Sequence, residues 1–154
     1  MFDPLFSRIL VAFDGSEPSK RALDYAQKMA VMFKGELIIL TVVPKISIPI
    51  FPSEGSGSTP YMDLTKYQEE VGELYKRSLE KAEASVKERC PSLKVQALLR
   101  DGRPSSTIVE ESNKNAVNLI VMGSRGLGGI RGMILGSTSR KVVDECTKPI
   151  LIVK

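Results

Sequence analysis

FSRILVAFDGSEPSKRALDYAQKMAVMFKGELIILTVV, residues 6–43, contains two apolar runs separated by a segment with helical periodicity. The first run, 9–13, stops at Asp14-Gly15 and is typical of a buried β-strand. The second run, 36–43, is almost continuously apolar and predicts another buried strand. A strand, a helix and a strand joined by short connections are the unit of a parallel sheet. We therefore expect a parallel sheet to begin with this unit.

The helix between these strands has start and stop signals. Ser16 is a favoured N-cap residue, and Pro18 falls in the first turn, where proline is tolerated. Gly35 is expected to end the helix, because glycine readily adopts the left-handed conformation found after helices. Residues at helical spacing predict the face turned toward the sheet: Ala22, Tyr25, Ala26, Met29 and Phe33.

The alternation of strand and helix continues along the chain. Patterning predicts strands at 93–99, 119–122 and 149–153, and helices at 63–89 and from Arg103 and Ser137. These elements predict one domain, 1–154, of the α/β class: an open five-stranded parallel sheet with helices on both faces. The segment 44–61 is rich in proline, glycine and serine, so we expect a mobile or functional loop there.

Spacing also predicts the inward faces of two later helices. In the helix at 63–89 the predicted inward residues are Leu64, Tyr67, Val71, Leu74, Tyr75, Ser78 and Ala82. In the last helix they are Val142, Val143 and Cys146.

The composition excludes several functions. The chain has 154 residues, a net charge of +4 and no histidine, which rules out a Ser-His-Asp triad and removes the commonest metal ligand. Basic and acidic residues alternate, as in KRSLEKAEASVKER at 76–89, so we do not expect nucleic acid as a partner. No apolar run is long enough for a membrane span, and the N-terminus lacks the pattern of a secretory signal. The two cysteines fit no metal or redox motif, and we expect a cytoplasmic location.

A second informative stretch, MGSRGLGGIRGMILGSTS at 122–139, has six glycines in eighteen residues. Gly123 directly follows a predicted strand, Gly126 comes three residues later, and Gly136 precedes hydroxyl residues at a helix start. In open parallel sheets, ligands bind beyond the carboxyl ends of the strands. Glycine turns and helix N-termini present N–H groups to anions, and Arg125 can pair with phosphate. The stretch predicts a phosphate site; the alternative is that its glycines only form turns.

Two standard nucleotide motifs are incomplete. GLGGIR at 126–131 begins a dinucleotide fingerprint but ends in arginine, and GS at 136–137 lacks the lysine of a Walker loop. Asp14 either caps the neighbouring helix or contacts a base, a ribose or Mg²⁺. It is also the only obvious candidate to orient a water for phosphate hydrolysis. A slow ATPase or phosphotransferase, and a nucleotide-free interaction module, therefore stand as alternatives to nucleotide binding.

Four stretches of the sequence together resemble one known family. The pattern G-x2-G-x9-G-S at 123–137 matches the ATP-binding signature of the universal stress proteins. VAFDGSEPSKRAL at 11–23, GRPSSTIV at 102–109 and KPILIVK at 148–154 resemble other parts of the same family. The resemblance covers essentially the whole chain. It implies a Rossmann-like, adenine nucleotide alpha hydrolase-like fold with strand order 3-2-1-4-5.

The same resemblance implies a ligand and a role. It implies ATP, with Mg²⁺ or Mn²⁺ on the phosphates, in a protein that acts as a nucleotide-dependent regulator or switch in the stress response. The bulky Phe13 is expected to crowd the adenosine pocket. A homodimer is expected through 149–153, because an apolar edge strand pairs readily across a two-fold axis. The predicted binding residues are Ala12, Phe13, Asp14, Val42, Met122, Gly123, Arg125, Gly126, Gly136, Ser137 and Thr138.

Overall fold

The computed structural model describes residues 5–47, 64–127 and 134–154. Its elements are β1 (Arg8–Ala12), α1 (Glu17–Met32), β2 (Glu36–Pro44), α2 (Leu64–Arg89), β3 (Val95–Gly102), α3 (Pro104–Lys114), β4 (Leu119–Gly123), α4 (Ser137–Glu145) and β5 (Ile150–Val153). In these described ranges, five strands form one parallel sheet in the order β3-β2-β1-β4-β5. This confirms the predicted fold class and the strand order. None of the described helices combines the length and the apolarity that crossing a bilayer requires.

The strand order reverses at β1, which pairs with β2 on one side and with β4 on the other. Ile9 of β1 is in register with Leu37 of β2 and with Leu119 of β4. The chain builds the sheet outward through β2 and β3, then returns to the far side of β1. The loops after β1 and β4 leave the sheet in opposite directions at such a switch point, which opens a crevice at the carboxyl edge.

Both faces of the sheet are buried, which explains the nearly continuous apolar strands. Ile9 and Val11 of β1 are fully buried in a cluster with residues of α1 and α2. Leu10, between them, is equally buried in a second cluster that includes Ile108 of α3 and Val142 of α4. The period of two along a strand assigns its residues to the two faces in turn. The face of the sheet that α3 and α4 cover also forms part of the cavity wall described below.

The expected end of α1 at Gly35 was wrong. The helix ends at Met32, and Lys34, with a φ of 53°, adopts the left-handed conformation expected of the glycine. Gly35 is required for a different reason. A Cβ there would lie 2.6 Å from the carbonyl oxygen of Phe6 and 2.9 Å from that of Ser7, closer than backbone atoms tolerate.

The predicted inward face of α2 was wrong in its first half. The side chains of Leu64, Tyr67 and Leu74 are exposed, and the buried residues of α2 are Leu79, Ala82 and Val86. Twenty-six helical residues span about 39 Å, whereas the nine residues of β2 span about 30 Å. The helix is therefore longer than the strand that it covers, and its first turns have less sheet to pack against.

Smaller differences affect three other elements. Tyr25 is 53% exposed, because the buried stripe of α1 is centred on Ala22, Leu23 and Ala26. Val143 of α4 is also exposed rather than inward. The third strand starts and ends later than the predicted 93–99, since its pairing with β2 continues as far as the carboxyl end of that strand.

The predicted loop at 44–61 is described only at its start. Pro44 ends β2, and the side chain of Gln68 on α2 holds the next residues. Its Nε2 donates to the carbonyl oxygen of Pro44 at 3.2 Å, and its Oε1 accepts from the N–H of Ile46 at 3.1 Å. Residues 48–63 lie outside the described ranges, as do 128–133, so the predicted mobility of this loop stays a prediction.

Candidate functional site

A cavity of about 730 Å³ lies at the carboxyl edge of the sheet, where β1 and β4 end. Its size falls in the range of about 300–1,000 Å³ that is usual for small-molecule sites. The structure brings all eleven residues predicted from the sequence to its walls: Ala12, Phe13, Asp14, Val42, Met122, Gly123, Arg125, Gly126, Gly136, Ser137 and Thr138. Their role in binding stays a prediction.

One part of the cavity wall is apolar. Ala12, Val42 and Met122 stand near the carboxyl ends of β1, β2 and β4, on the face that α3 and α4 cover. Leu40 and Ile108 complete this part, and both are at most 3% exposed. An apolar surface at the end of a parallel sheet suits an aromatic ring, because burying apolar area is favourable.

Phe13 does not crowd this apolar part. Its side chain is 5% exposed and packs in the cluster beneath α1 and α2, as the alternation from Val11 requires. The N–H of Phe13 donates to the carbonyl oxygen of Leu40 at 2.8 Å, and the carbonyl oxygen of Phe13 accepts from the hydroxyl of Thr41 at 2.7 Å. The expected crowding was wrong because the ring occupies the opposite face of the sheet.

The three glycines of the predicted phosphate signature have different surroundings. A Cβ on Gly123 would lie 2.7 Å from Cβ of Pro18 and 2.9 Å from its backbone carbon, so this glycine lets α1 approach the end of β4. A Cβ on Gly126 would lie 2.7 Å from Oδ2 of Asp14. Around Gly136 a Cβ would meet only ordinary contacts, the nearest at 3.4 Å.

Asp14 joins the end of β1 to the turn that follows β4. Its Oδ1 accepts a hydrogen bond from the N–H of Ser16 at 2.9 Å, and its Oδ2 accepts one from the N–H of Leu127 at 3.0 Å. The side-chain cap of α1 is Ser16, whose Oγ accepts from the N–H of Ser19. Asp14 is therefore not the cap of α1, and its carboxylate reaches the glycine turn instead.

The N-terminus of α4 faces the same cavity. Gly136 is its N-cap and provides no side-chain hydrogen bond, so the first N–H groups of the helix have neither a side-chain cap nor an intrahelical partner. The hydroxyl of Ser139, in the first turn of this helix, donates to the carbonyl oxygens of Ser124 and Gly136. Ser137 is exposed and Thr138 half-buried. Oriented N–H groups and about half a positive charge make such a helix end suitable for an anion.

Parts of the cavity wall were not predicted. Tyr75 of α2, which helical spacing had assigned to the inward face, lines it, and so does the buried Ile108 of α3. Burial, together with the nearby carboxylate of Asp14, raises the pKa of Tyr75 above its ordinary value, so its hydroxyl, protonated at neutral pH in any case, remains a donor into more alkaline solution. Arg140 and Lys141 also line the cavity. Their position one helical turn after the predicted phosphate residues could have predicted this from the sequence.

Carboxylates that could serve a metal ion are present in the wall. No group of three or more cysteine, aspartate or glutamate side chains suited to a metal occurs in the part of the chain that the structure describes. Asp14 and Asp144 both line the cavity. Mg²⁺ is commonly held by one or two carboxylates together with substrate phosphates, so each of these residues is a candidate ligand.

The open, doubly wound sheet and the crevice at its switch point define an α/β protein with a ligand site at the carboxyl edge. The sequence model of the universal stress protein family matches residues 5–154, so the chain belongs to this family. Over 97% of its length it is 33% identical to YxiE of Bacillus subtilis, of which it covers 100%. It is 34% identical to a universal stress protein of Thermus aquaticus, at the same coverage of both chains.

Solved structures agree on the fold. UspA from Lactobacillus plantarum superposes with a TM-score of 0.82 at 22% identity, and the match covers 97% of this chain and 98% of that one. A universal stress protein in complex with cAMP gives 0.67 at 24% identity, over 96% of both chains. A universal stress protein of Archaeoglobus fulgidus in complex with dAMP gives 0.63 at 21% identity, over 97% and 99%.

Proposed function

We propose that this protein binds an adenine nucleotide, ATP, in the cavity and acts in the cytoplasm as a nucleotide-dependent regulator in the stress response. The observation that carries the proposal is the combination, in one cavity, of an apolar surface with a glycine turn and an uncapped helix N-terminus. The apolar surface takes the adenine ring, and the helix end takes phosphate.

Individual residues have defined roles in this proposal. Ala12, Val42 and Met122 contact the adenine ring. Asp14 lies between the apolar part and the glycine turn, and its carboxylate accepts a hydrogen bond from a ribose hydroxyl. The N–H groups at Gly126 and at the start of α4 bind the phosphates. Mg²⁺ or Mn²⁺ bound to the phosphates would offset part of their negative charge.

Two structural neighbours support an adenine-containing ligand. One was solved in complex with cAMP and the other in complex with dAMP. Both ligands combine an adenine ring with a single phosphate, which are the two chemical groups that the cavity wall suits. ATP differs from them in its two additional phosphates.

The identity of any nucleotide that copurifies with the protein tests the proposal. Protein purified without added nucleotide is denatured by heat, and the supernatant is analysed by chromatography and absorbance. We expect ATP in substoichiometric to stoichiometric amount. A protein that carries no adenine nucleotide and takes up none when ATP is added would favour the nucleotide-free interaction module.

Slow ATP hydrolysis is a second candidate that Asp14 favours, because its carboxylate stands beside the proposed phosphate site. Both of its oxygens accept backbone hydrogen bonds, which weakens it as a base that could orient water. We therefore expect the turnover number at saturating Mg-ATP to stay below roughly 1 s⁻¹, the lower end of the kcat range that is typical of enzymes. Faster turnover that is lost in Asp14→Asn would make the protein an ATPase.

We also propose a homodimer through β5, which lies at the edge of the sheet. Pro149 and Val153 direct their carbonyl oxygens to β4, so Ile150 and Ile152 direct their N–H and C=O groups to the open edge. Ile152→Pro removes one of these edge donors without breaking a bond inside the described chain. Sedimentation should show a dimer for the wild type and a monomer for this variant; an unchanged dimer would exclude pairing through β5.

A further inference from the structure

The cavity continues beyond the N-terminus of α4 along one face of that helix. Ser137, Arg140, Lys141 and Asp144 all line the cavity. They stand at positions i, i+3, i+4 and i+7, so they share one face of the helix. At 1.5 Å per residue, this stripe is about 10 Å long. A single phosphate at the helix end uses only its first turn.

The middle of this stripe carries two positive charges. Arg140 and Lys141 are exposed, and neither side chain has a hydrogen-bond or ion-pair partner among the residues that the structure describes. Asp144 also stands within helical reach of both, yet it forms no ion pair with either. Their donors are therefore available to a ligand in the cavity.

Phosphates beyond the first need additional donors. The N–H groups of the glycine turn and of the first turn of α4 are uncharged donors, and each further phosphate brings more negative charge. A guanidinium fork and an ammonium group form the strongest charge-assisted hydrogen bonds to phosphate oxygens. Arg140 and Lys141 supply these groups one helical turn after Ser137, along the wall of the same cavity.

We propose that Arg140 and Lys141 bind the outer phosphates of the nucleotide and make the cavity selective for a triphosphate over a monophosphate. This inference rests on the proposed nucleotide binding and names the residues by which the cavity would distinguish ATP from AMP. Asp144, at the far end of the stripe, opposes an unaccompanied phosphate chain and favours one that carries a divalent cation.

Calorimetric titration of AMP and of ATP tests this selectivity. The variants are Arg140→Gln and Lys141→Gln, and Lys87→Gln serves as a control with the same charge change on an exposed residue of α2 that pairs with Glu83. We expect each α4 variant to weaken ATP binding about five- to tenfold, with AMP changed less than about twofold. The Lys87 control should leave both affinities unchanged.

The outcomes separate this inference from the proposed function. A wild-type protein that binds neither nucleotide overturns both. If the wild type binds AMP and ATP but the α4 variants lose no ATP affinity, or lose both affinities equally, only the selectivity role is wrong. As a second readout, Asp144→Asn should tighten ATP binding in metal-free buffer without changing AMP binding, and an equal effect on both would also contradict the role.

Discussion

Gly123 combines a packing requirement with a place in the candidate site. Its residue type is fixed by α1, because a Cβ would overlap the side chain and backbone of Pro18. The same residue ends β4 and begins the turn that lines the cavity. A signature glycine can thus be required by the neighbouring helix rather than by the ligand, and the two requirements have separate experimental consequences.

Gly123→Ala should therefore act on folding. Overpacking against backbone atoms is expected to lower the free energy of unfolding by about 1–3 kcal/mol, because neither α1 nor β4 can move without disturbing the core. Urea denaturation of the wild type and the variant measures the difference. Equal midpoints and slopes for the two proteins would show that the close approach of Pro18 is not maintained in solution.

At the scale of elements, α2 has an uneven distribution of contacts. Its buried residues begin at Leu79, whereas Leu64, Tyr67 and Leu74 are exposed. Gly72 lies within the first of these two parts, and a Cβ there would meet no atom within 4 Å. Nothing in the described surroundings requires glycine at this position. Its remaining effect is to destabilise the helix, because glycine loses more conformational entropy on folding than other residues do.

Gly72→Ala should stabilise the protein. Alanine restricts the unfolded chain more than glycine does, and the free energy of unfolding should rise by about 0.5–1 kcal/mol. Thermal and urea unfolding measure this gain, while ATP affinity should not change because residue 72 does not line the cavity. A loss of stability would mean that α2 is not a continuous helix at this point.

At the scale of the whole molecule, an ion-pair cluster joins three strands at the amino edge of the sheet, opposite the cavity. Glu36, at the start of β2, accepts hydrogen bonds from Lys94, just before β3, and from Arg8 of β1. The hydrogen bond and charge of Lys94, followed by those of Arg8, hold the pKa of Glu36 below its ordinary value. The side chain is 32% exposed, so its contribution is modest.

Acid should remove this contribution. Because the folded pKa of Glu36 is depressed, the stabilisation is present above the unfolded pKa of about 4.3 and is lost as the pH falls through the folded pKa. Glu36→Gln should cost less than about 1 kcal/mol near neutral pH and nothing in strong acid. Urea unfolding of both proteins across this range measures the difference, and a cost that does not depend on pH would exclude the ion pair as its cause.

The strand and helix order could be predicted from the sequence because each element is encoded by its own residues and capping signals. What escaped prediction depends on contacts between distant segments. Lys34 rather than Gly35 adopts the left-handed conformation, and residue 35 is glycine because the carbonyl of Phe6 leaves no room for a side chain there. That Tyr75 and Ile108 line the cavity depends on where α2 and α3 lie against the sheet, which spacing along each helix does not give.

The central claim is that an adenine nucleotide binds in the cavity, with its phosphates at the glycine turn. Gly126→Asp tests it most directly, because the new carboxylate would start from a Cβ only 2.7 Å from Oδ2 of Asp14, where phosphate is expected. Residue 126 is exposed, so the fold should survive, and circular dichroism checks this. Calorimetric titration with Mg-ATP should show saturable binding to the wild type and at least about a tenfold loss in the variant. Equal ATP affinity in a folded Gly126→Asp protein would contradict the claim.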